Sequence, residues 1–464
     1  MSRLFGVYVP LSVLLLLFSE AVLITAAFAV AAYFTLPVDP SVFLLYDGGF
    51  ARILLVVVSV LLFLHFTDLY TDIRISSRAA LAQQLCMVMG GTFLVHALVS
   101  YVRPSLRVPI RIMILGSAIT LVIIYFWRVV YSRHVLGVVG GQRLLVVGGT
   151  PLVAEMAGHL EKHPELGIRI VGYVADDPPG GAAPPHAGKS LGSMQVLREV
   201  AESVKPDRIV LALTERRQQT PLEDLLELRY AGFAIEEAAT LYEAVCGRVY
   251  AKEMRPSQFI FCSQLAPRSR SLFFQSLFNL SVAAVGLLLT WPLILLTAIA
   301  VRMSSPGPIL YRQVRVGLDG AHFTLYKFRS MFVDAEARTG AVWASKNDPR
   351  ITPIGRILRK HRLDELPQLF NVLRGDMSIV GPRPERPEFV EGFARKFPFY
   401  NQRHCVRPGI TGWAQINYKY ADTVEDTIIK LEYDLYYIKQ MSLMLDLYII
   451  FQTVKAMFLT RGAQ

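Results

Sequence analysis

The chain has 464 residues, 53% of them hydrophobic and 18% charged, with a mean hydropathy of +0.39. That is too apolar for an ordinary soluble protein and too charged for a pure membrane bundle, which leaves a mixed membrane and cytosolic architecture of two or three units. The net charge of +11 is concentrated late, with 26 Lys and Arg against 16 Asp and Glu from Pro267 onward and 22 against 21 before it. A basic last third suits anionic lipid headgroups, phosphates or nucleic acid. Cys86, Cys246, Cys262 and Cys405 are scattered, without the spacing of a zinc site or disulfide framework, and suit a reducing compartment.

Residues 1–135 hold four apolar stretches, 7–34, 50–66, 81–102 and 108–131, each near the roughly 20 residues that cross a bilayer as helix. The first is too long for a cleaved signal peptide, and further spans follow it. An even number of spans puts both ends on one side, and Arg128, Arg133 and Arg143 mark that side as the cytoplasm; Arg103 and Arg107 then fall on the outer side and weaken the signal. Glu20, His65 and His96 lie in or beside spans. Such groups raise a functional hypothesis, but with no mutual pairing visible they read as packing or interface positions.

Residues 140–250 alternate strand and helix, which predicts a Rossmann-like parallel sheet. Gln142 to Val147 reads as a strand entering the turn Gly148-Gly149-Thr150, followed by a helix over 152–162 and strands over 168–173 and 208–213. A dinucleotide fingerprint needs further glycines where Leu152 and Val153 stand. The domain therefore reads as CoA- or NAD-binding-like but degenerate, with structural or regulatory use preferred.

Residues 268–464 form the third unit. Its apolar segment 276–303 carries Pro292 near the middle and basic flanks at Arg268, Arg270 and Arg302. An interior proline removes a helical hydrogen bond, the halves are too short to span, and equal positive flanks predict a re-entrant helix with both ends in the cytoplasm. A plain transmembrane helix is the alternative. A hairpin follows, with strands over 309–316 and 322–328 around Gly317-Leu318-Asp319-Gly320, and its second strand delivers Lys327 and Arg329 to one face. Asp364-Glu365 then sits between Arg359, Lys360 and Arg362 and the rigid loop Gly381-Pro382-Arg383-Pro384. Asp364 could be a mere N-cap of a helix over 366–374 closed by Gly375. Capping explains neither Glu365 nor the cations, whereas a phosphate-bearing substrate explains both. Arg407-Pro408-Gly409-Ile410-Thr411-Gly412-Trp413 is a turn with another Arg and an exposed-looking aromatic, and 433–460 reads as amphipathic helix, with Lys439 and Lys455 as its cations, that packs on the apolar segment 276–303 or lies at the membrane interface.

Five ordered motifs, Ser305-Pro306-Gly307-Pro308, Lys327-Phe328-Arg329-Ser330-Met331, Leu363-Asp364-Glu365-Leu366-Pro367-Gln368-Leu369, residues 375–384 and residues 406–415, resemble the bacterial sugar transferases, the monotopic phosphoglycosyl transferases acting on polyprenyl phosphate. The whole layout resembles their long form, the hexose-1-phosphate transferases of exopolysaccharide and O-antigen assembly. Where that family often has Ser-Pro or Thr-Pro at the membrane break, Trp291 precedes Pro292 here, and Thr290 is the substitute hydroxyl.

The resemblance implies transfer of a sugar 1-phosphate from a UDP-sugar to undecaprenyl phosphate in the bacterial inner membrane, with the catalytic domain facing the cytoplasm. It implies Asp364 as nucleophile and Mg²⁺ ligand, Glu365 as assisting acid/base, and Lys327, Arg359, Arg383 and Arg407 as phosphate-binding cations. The N-terminal helices and the middle domain offer surface for a homodimer. The expected fold is membrane α plus α/β: a four-helix transmembrane bundle, a Rossmann-like middle domain, and a mostly α catalytic domain with a re-entrant helix and interfacial amphipathic helices. Three rivals fare worse. An NAD-dependent sugar-nucleotide modifier would need the intact fingerprint and a Tyr-x-x-x-Lys pair, whereas Tyr418-Lys419 and Tyr437-x-Lys439 have the wrong spacing. Nucleic-acid binding fits poorly with basic residues interleaved among membrane-seeking ones. A scaffold in polysaccharide export would not need Asp364-Glu365.

Overall fold

The computed structural model describes residues 2–4, 7–37, 39–71, 73, 75, 77–136, 141–176, 188–213, 221–254, 269–333, 335, 348–397, 399–418 and 423–458. The chain divides into two compact units, essentially Tyr8–Leu241 and Tyr242–Gln464.

The first unit opens with apolar helices α1 (Leu11–Thr35), α2 (Gly49–Phe66), α3 (Arg78–Val102) and α4 (Ile110–Val130), each long and apolar enough to cross a membrane. Their outward faces are large apolar side chains such as Phe18, Phe34, Leu94 and Phe126, while Leu16, Phe28, Val56, Leu85 and Ile112 form a shared core. Glu20 on α1 and Arg128 on α4 are 2.7 Å apart and almost fully buried. Arg128 also donates to the Leu69 carbonyl at 2.7 Å, and the Tyr70 hydroxyl donates to Glu20. Glu20 is thus a packing position, as the sequence suggests, but one with a partner that the sequence does not show, and Arg128, expected as a flanking topology charge, is buried with it. A buried carboxylate is stable only with a partner, and this one lies 108 residues away.

The same unit contains the parallel sheet. Strands β1 (Gln142–Val147), β2 (Ile168–Val174), β3 (Lys189–Gly192), β4 (Arg208–Leu211) and β5 (Ala234–Glu237) lie in the order β3-β2-β1-β4-β5. Leu144 to Val147 are fully buried, as a strand covered on both faces requires. Gly148 turns the chain at φ +92, where a Cβ would meet the Ala212 carbonyl at 2.3 Å. Helix α5 (Pro151–Lys162) then buries Leu152 and Val153 in the core. The two residues that break the glycine fingerprint thus pack the helix onto the sheet.

The second unit is mostly helical. Helix α6 (Ser269–Ser304) is longer than the predicted 276–303 and runs on through Pro292 as one helix, so the expected division into two halves too short to span does not hold: its stretch Phe273–Ser304 is itself long and apolar enough to cross a membrane. Thr290 Oγ1 donates to the Gly286 carbonyl at 2.6 Å, so the substitute hydroxyl does make the local bond. The hairpin forms as expected, β6 (Leu310–Val316) antiparallel to β7 (His322–Phe328), turning through Asp319 at φ +52. Helices α7 (Pro353–Lys360) and α8 (Gln368–Arg374) flank the turn bearing the two carboxylates. Strand β8 (Ser378–Val380) pairs in parallel with β9 (Gly409–Thr411), helix α9 (Pro387–Lys396) lies between them in sequence, and α10 (Val424–Gln440) and α11 (Leu443–Phe458) close the chain.

Two predictions on the C-terminal part are corrected. The single amphipathic helix expected from residue 433 onward is two helices broken at Met441-Ser442; Lys439 pairs with Glu243 and Lys455 is buried, so neither is a free interfacial cation, whereas Asp446 bonds Gln275 on α6, in line with the alternative of packing on that helix. Trp413 is 4% exposed. It stacks on Tyr436 at 5.7 Å and its indole N–H donates to the Gly247 carbonyl at 2.7 Å. It thereby holds a strap, Gly247 to Met254, whose residues Val249 and Met254 enter this unit's core. Glu432 on α10 accepts from the Ala251 amide at 3.0 Å and from Arg248 at 3.1 Å, fixing the strap to the helix.

Candidate active site

Arg362 adopts φ +54, a left-handed conformation that L residues pay for by about 1 kcal/mol. It reverses the chain after α7 and launches the 3-10 turn Leu363–Glu365. Helix α8 starts after this turn, at Gln368, with Pro367 before it and no side-chain cap. The N-cap reading of Asp364 therefore does not hold. The tight turn, in place of a regular helical start, supports both carboxylates on one short stretch.

Asp364 is 8% exposed, and among the described residues its carboxylate has no hydrogen bond or ion pair. Glu365 is held twice on one oxygen, with Arg383 Nη2 at 2.7 Å and Lys327 Nζ at 3.3 Å from Oε1. Burial works to raise the Glu365 carboxyl, but Arg383 and Lys327 outweigh it and hold it well below the usual carboxylate range. Asp364 goes the other way. Burial and then the Glu365 charge push it above its ordinary value, with Lys327, Arg359 and Arg383 opposing. Burial also draws the Lys327 ammonium below its usual value, against the pull of Glu365. Two adjacent carboxylates are thus driven apart in character, one locked as an anion and one left unengaged, a pattern found at sites of carboxylate chemistry.

Each cation is placed by a different element. Lys327 comes from β7, and Asn371, fully buried on α8, ties that strand in place: its Oδ1 accepts from the Tyr326 amide at 3.1 Å and its Nδ2 donates to the Thr324 carbonyl at 2.7 Å. Arg359 from α7 donates through Nε to the Ser330 hydroxyl at 2.9 Å. Arg383 comes from the Pro-Arg-Pro loop, which follows β8. There Gly381 packs so close to the other turn that a Cβ would meet the Arg407 carbonyl at 2.4 Å, so the residues after Gly375 and those around Gly409 form one backbone-to-backbone unit.

The structure therefore brings Asp364, Glu365, Lys327, Arg359 and Arg383 together. Arg407 is not with them. It is exposed and donates to the Ser276 hydroxyl on α6 at 3.1 Å, and no ion pair joins it to either carboxylate among the described residues. Arg329 also departs from Lys327: its buried guanidinium donates to the Ser305 and Pro306 carbonyls at 2.7 Å, closing the end of α6. Sequence reasoning missed Asn371, Arg403 and Asp434, the last two being a buried ion pair at 2.8 Å behind Arg383.

Residues 270–460 match the bacterial sugar transferase family model, and residues 65–228 match that of a CoA-binding domain. The chain is 34% identical to a UDP-glucose:undecaprenyl-phosphate glucose-1-phosphate transferase of Escherichia coli (strain K12), over 69% of each chain. It is also 34% identical to one of Klebsiella pneumoniae, over 73% of this chain and 71% of the relative. The chain belongs to the bacterial sugar transferase family. Its resemblance to the long-form members is thereby established. A further transferase relative, the UDP-N-acetylgalactosamine-undecaprenyl-phosphate N-acetylgalactosaminephosphotransferase of Aeromonas hydrophila, is 44% identical over 48% of this chain, which spans about half (52%) of that relative's length.

Proposed function

We propose that this transferase moves a sugar 1-phosphate from a UDP-sugar to undecaprenyl phosphate through a covalent aspartyl intermediate, as the initiating membrane step of exopolysaccharide or O-antigen-type synthesis. The observation that carries this reading is the contrast between Glu365, held by two cations, and its neighbour Asp364, unengaged in the same positive field. The relatives' names supply the donor and acceptor class.

An Asp364 oxygen would attack the β-phosphorus as the bond from that phosphorus to the bridging oxygen breaks and UMP departs with the electron pair. A phosphate oxygen of the lipid then attacks the same phosphorus, and the Asp364 carboxylate is regenerated. Lys327, Arg359 and Arg383 offset the charge on the diphosphate, the guanidinium forks matching its oxygens two at a time. The acid/base role that resemblance implies for Glu365 fits poorly with a carboxylate held ionised by two cations. We assign it the anchoring of Lys327 and Arg383.

Among the described residues no three His, Cys, Asp or Glu side chains gather into a metal cage. Mg²⁺ is commonly held by one or two carboxylates together with substrate phosphates, and the unengaged Asp364 fits that mode. When bound there it would make the phosphorus more electrophilic.

The re-entrant reading of α6 is supported by its packing. Gln275 and Asn279, early in the helix, bond to Asp446 and to the Ile379 amide. Ile294, Ala298 and Val301, late in it, pack with Phe328 and Leu358. One folded unit thus serves both halves, as expected if both ends face the cytoplasm at an inner membrane, while Leu288, Leu289 and Trp291 between them are exposed. A homodimer completes the proposal. Incubation with a panel of UDP-sugars and Mg²⁺, without lipid acceptor, tests it: UMP release and a phosphosugar mass on Asp364 are expected, and product formed only when donor and acceptor are both present would replace the covalent route by direct transfer.

A further inference from the structure

The loop that carries Arg383 is gripped at three consecutive carbonyls. Arg403 Nη2 donates to the Arg383 carbonyl at 2.9 Å, Arg315 Nη1 to that of Pro384 at 2.9 Å, and the Val316 amide to that of Glu385 at 3.0 Å. Prolines on both sides fix their own φ angles, so the carbonyl of Arg383 is the natural handle on the freedom that remains. Arg403 is 7% exposed. Its remaining contacts are with Asp434 Oδ2 at 2.8 Å and with the Tyr400 hydroxyl at 2.9 Å, with its guanidinium over that ring at 5.2 Å.

Stability alone does not account for this arrangement. A buried ion pair recovers little more than its desolvation cost, and apolar replacements are often neutral or better. Here the pair ends on one backbone atom of the residue whose side chain holds Glu365. Asp434 is itself fixed. It lies on α10 two residues from Glu432, about 200° around the helix, and Glu432 is tied to the strap through Arg248 and Ala251.

We propose that Arg403 and Asp434 are positioning residues, holding the Arg383 backbone so that its guanidinium stays on Glu365 and leaves Asp364 unengaged. The inference rests on the phosphotransfer reading above. Asp434→Asn keeps the shape and removes the charge. It is expected to lower kcat for UMP release on the order of 10²-fold with a smaller change in KM for the UDP-sugar, and Asp434→Glu to recover part of the rate.

A double-mutant cycle separates positioning from mere support. In an Arg383→Lys background the loss from Asp434→Asn is expected to shrink to a few-fold, because the group being positioned is already altered. An equal loss in both backgrounds would overturn the proposal. Should Asp434→Asn melt too low to assay, Tyr400→Phe, which removes a single donor–acceptor contact to Arg403, supplies the cycle. A structure of the Asp434→Asn protein reads the same point without turnover. Loss of the 2.7 Å Arg383–Glu365 contact is expected, and its persistence would contradict the proposal even if wild type proved inactive on every UDP-sugar.

Discussion

Arg383 Nη2 lies 2.7 Å from Glu365 Oε1, and this contact divides the labour between two adjacent carboxylates. The guanidinium that could have neutralised Asp364 is spent on its neighbour. Glu365→Gln should therefore do more than remove one charge, because Lys327 and Arg383 are released to close on Asp364. We expect kcat for UMP release to fall on the order of 10²-fold with the fold intact, read by steady-state kinetics alongside a melting curve. An unchanged kcat would remove Glu365 from the site.

Asn371 should be critical to folding as well as to placement of Lys327. Truncation to Ala leaves the Tyr326 amide and the Thr324 carbonyl without their side-chain partners, at a cost of about 2–3 kcal/mol. Denaturant unfolding of Asn371→Ala in detergent measures it, and a loss under about 0.5 kcal/mol would show that backbone or water takes over both bonds.

Glu432 is almost fully buried against Arg248 and the Ala251 amide. Removing one partner of a buried pair strands the other, so Glu432→Ala should destabilise the second unit by about 3 kcal/mol. Proteolysis is expected to cut first in the strap after Gly247. Cutting that begins elsewhere at an unchanged rate would mean that Trp413 alone secures it.

Asp446 links α11 to α6 with two neutral donors, Tyr437 and Gln275, each at 2.8 Å. Burial raises its carboxyl from 3.8 to about 6, against those hydrogen bonds. Folded protein then binds more protons than unfolded between about pH 4 and 6, so stability falls as pH rises through that window, by roughly 3 kcal/mol in all. Asp446→Asn should flatten this dependence. Melting temperatures of both proteins across the window check it, and parallel profiles would exclude Asp446 as the source.

Much of the site was legible because its signals are local. Alternation along a strand delivered Lys327, and the adjacent carboxylates, the cation run and the Pro-Arg-Pro loop lie within about 25 residues of one another. What escaped depends on contacts between distant segments. Arg403 and Asp434 looked like ordinary charges, and Arg128 like a topology signal until Glu20 was found beside it. Trp413 followed an Arg-Pro-Gly turn and so looked exposed, but Tyr436 and Gly247 enclose it. Arg407 lies in one of the five motifs, as Lys327, Asp364 and Arg383 lie in others, yet reaches Ser276. Periodicity marked the hairpin, three strands of the middle sheet and the apolar helices, but not the three- or four-residue strands β3, β5, β8 and β9, which are too short to show a period; β3 lies in a stretch whose Pro and Gly read as loop. Met441-Ser442 broke the last amphipathic run without a glycine or proline to mark it.

The most direct test of the central claim is intact-protein mass spectrometry after incubation with UDP-sugar and Mg²⁺ in the absence of lipid acceptor. The account predicts one phosphosugar added per wild-type chain, mapped to Asp364, with stoichiometric UMP, and neither in Asp364→Asn. Full transfer activity in Asp364→Asn, or an adduct on another residue, would contradict it.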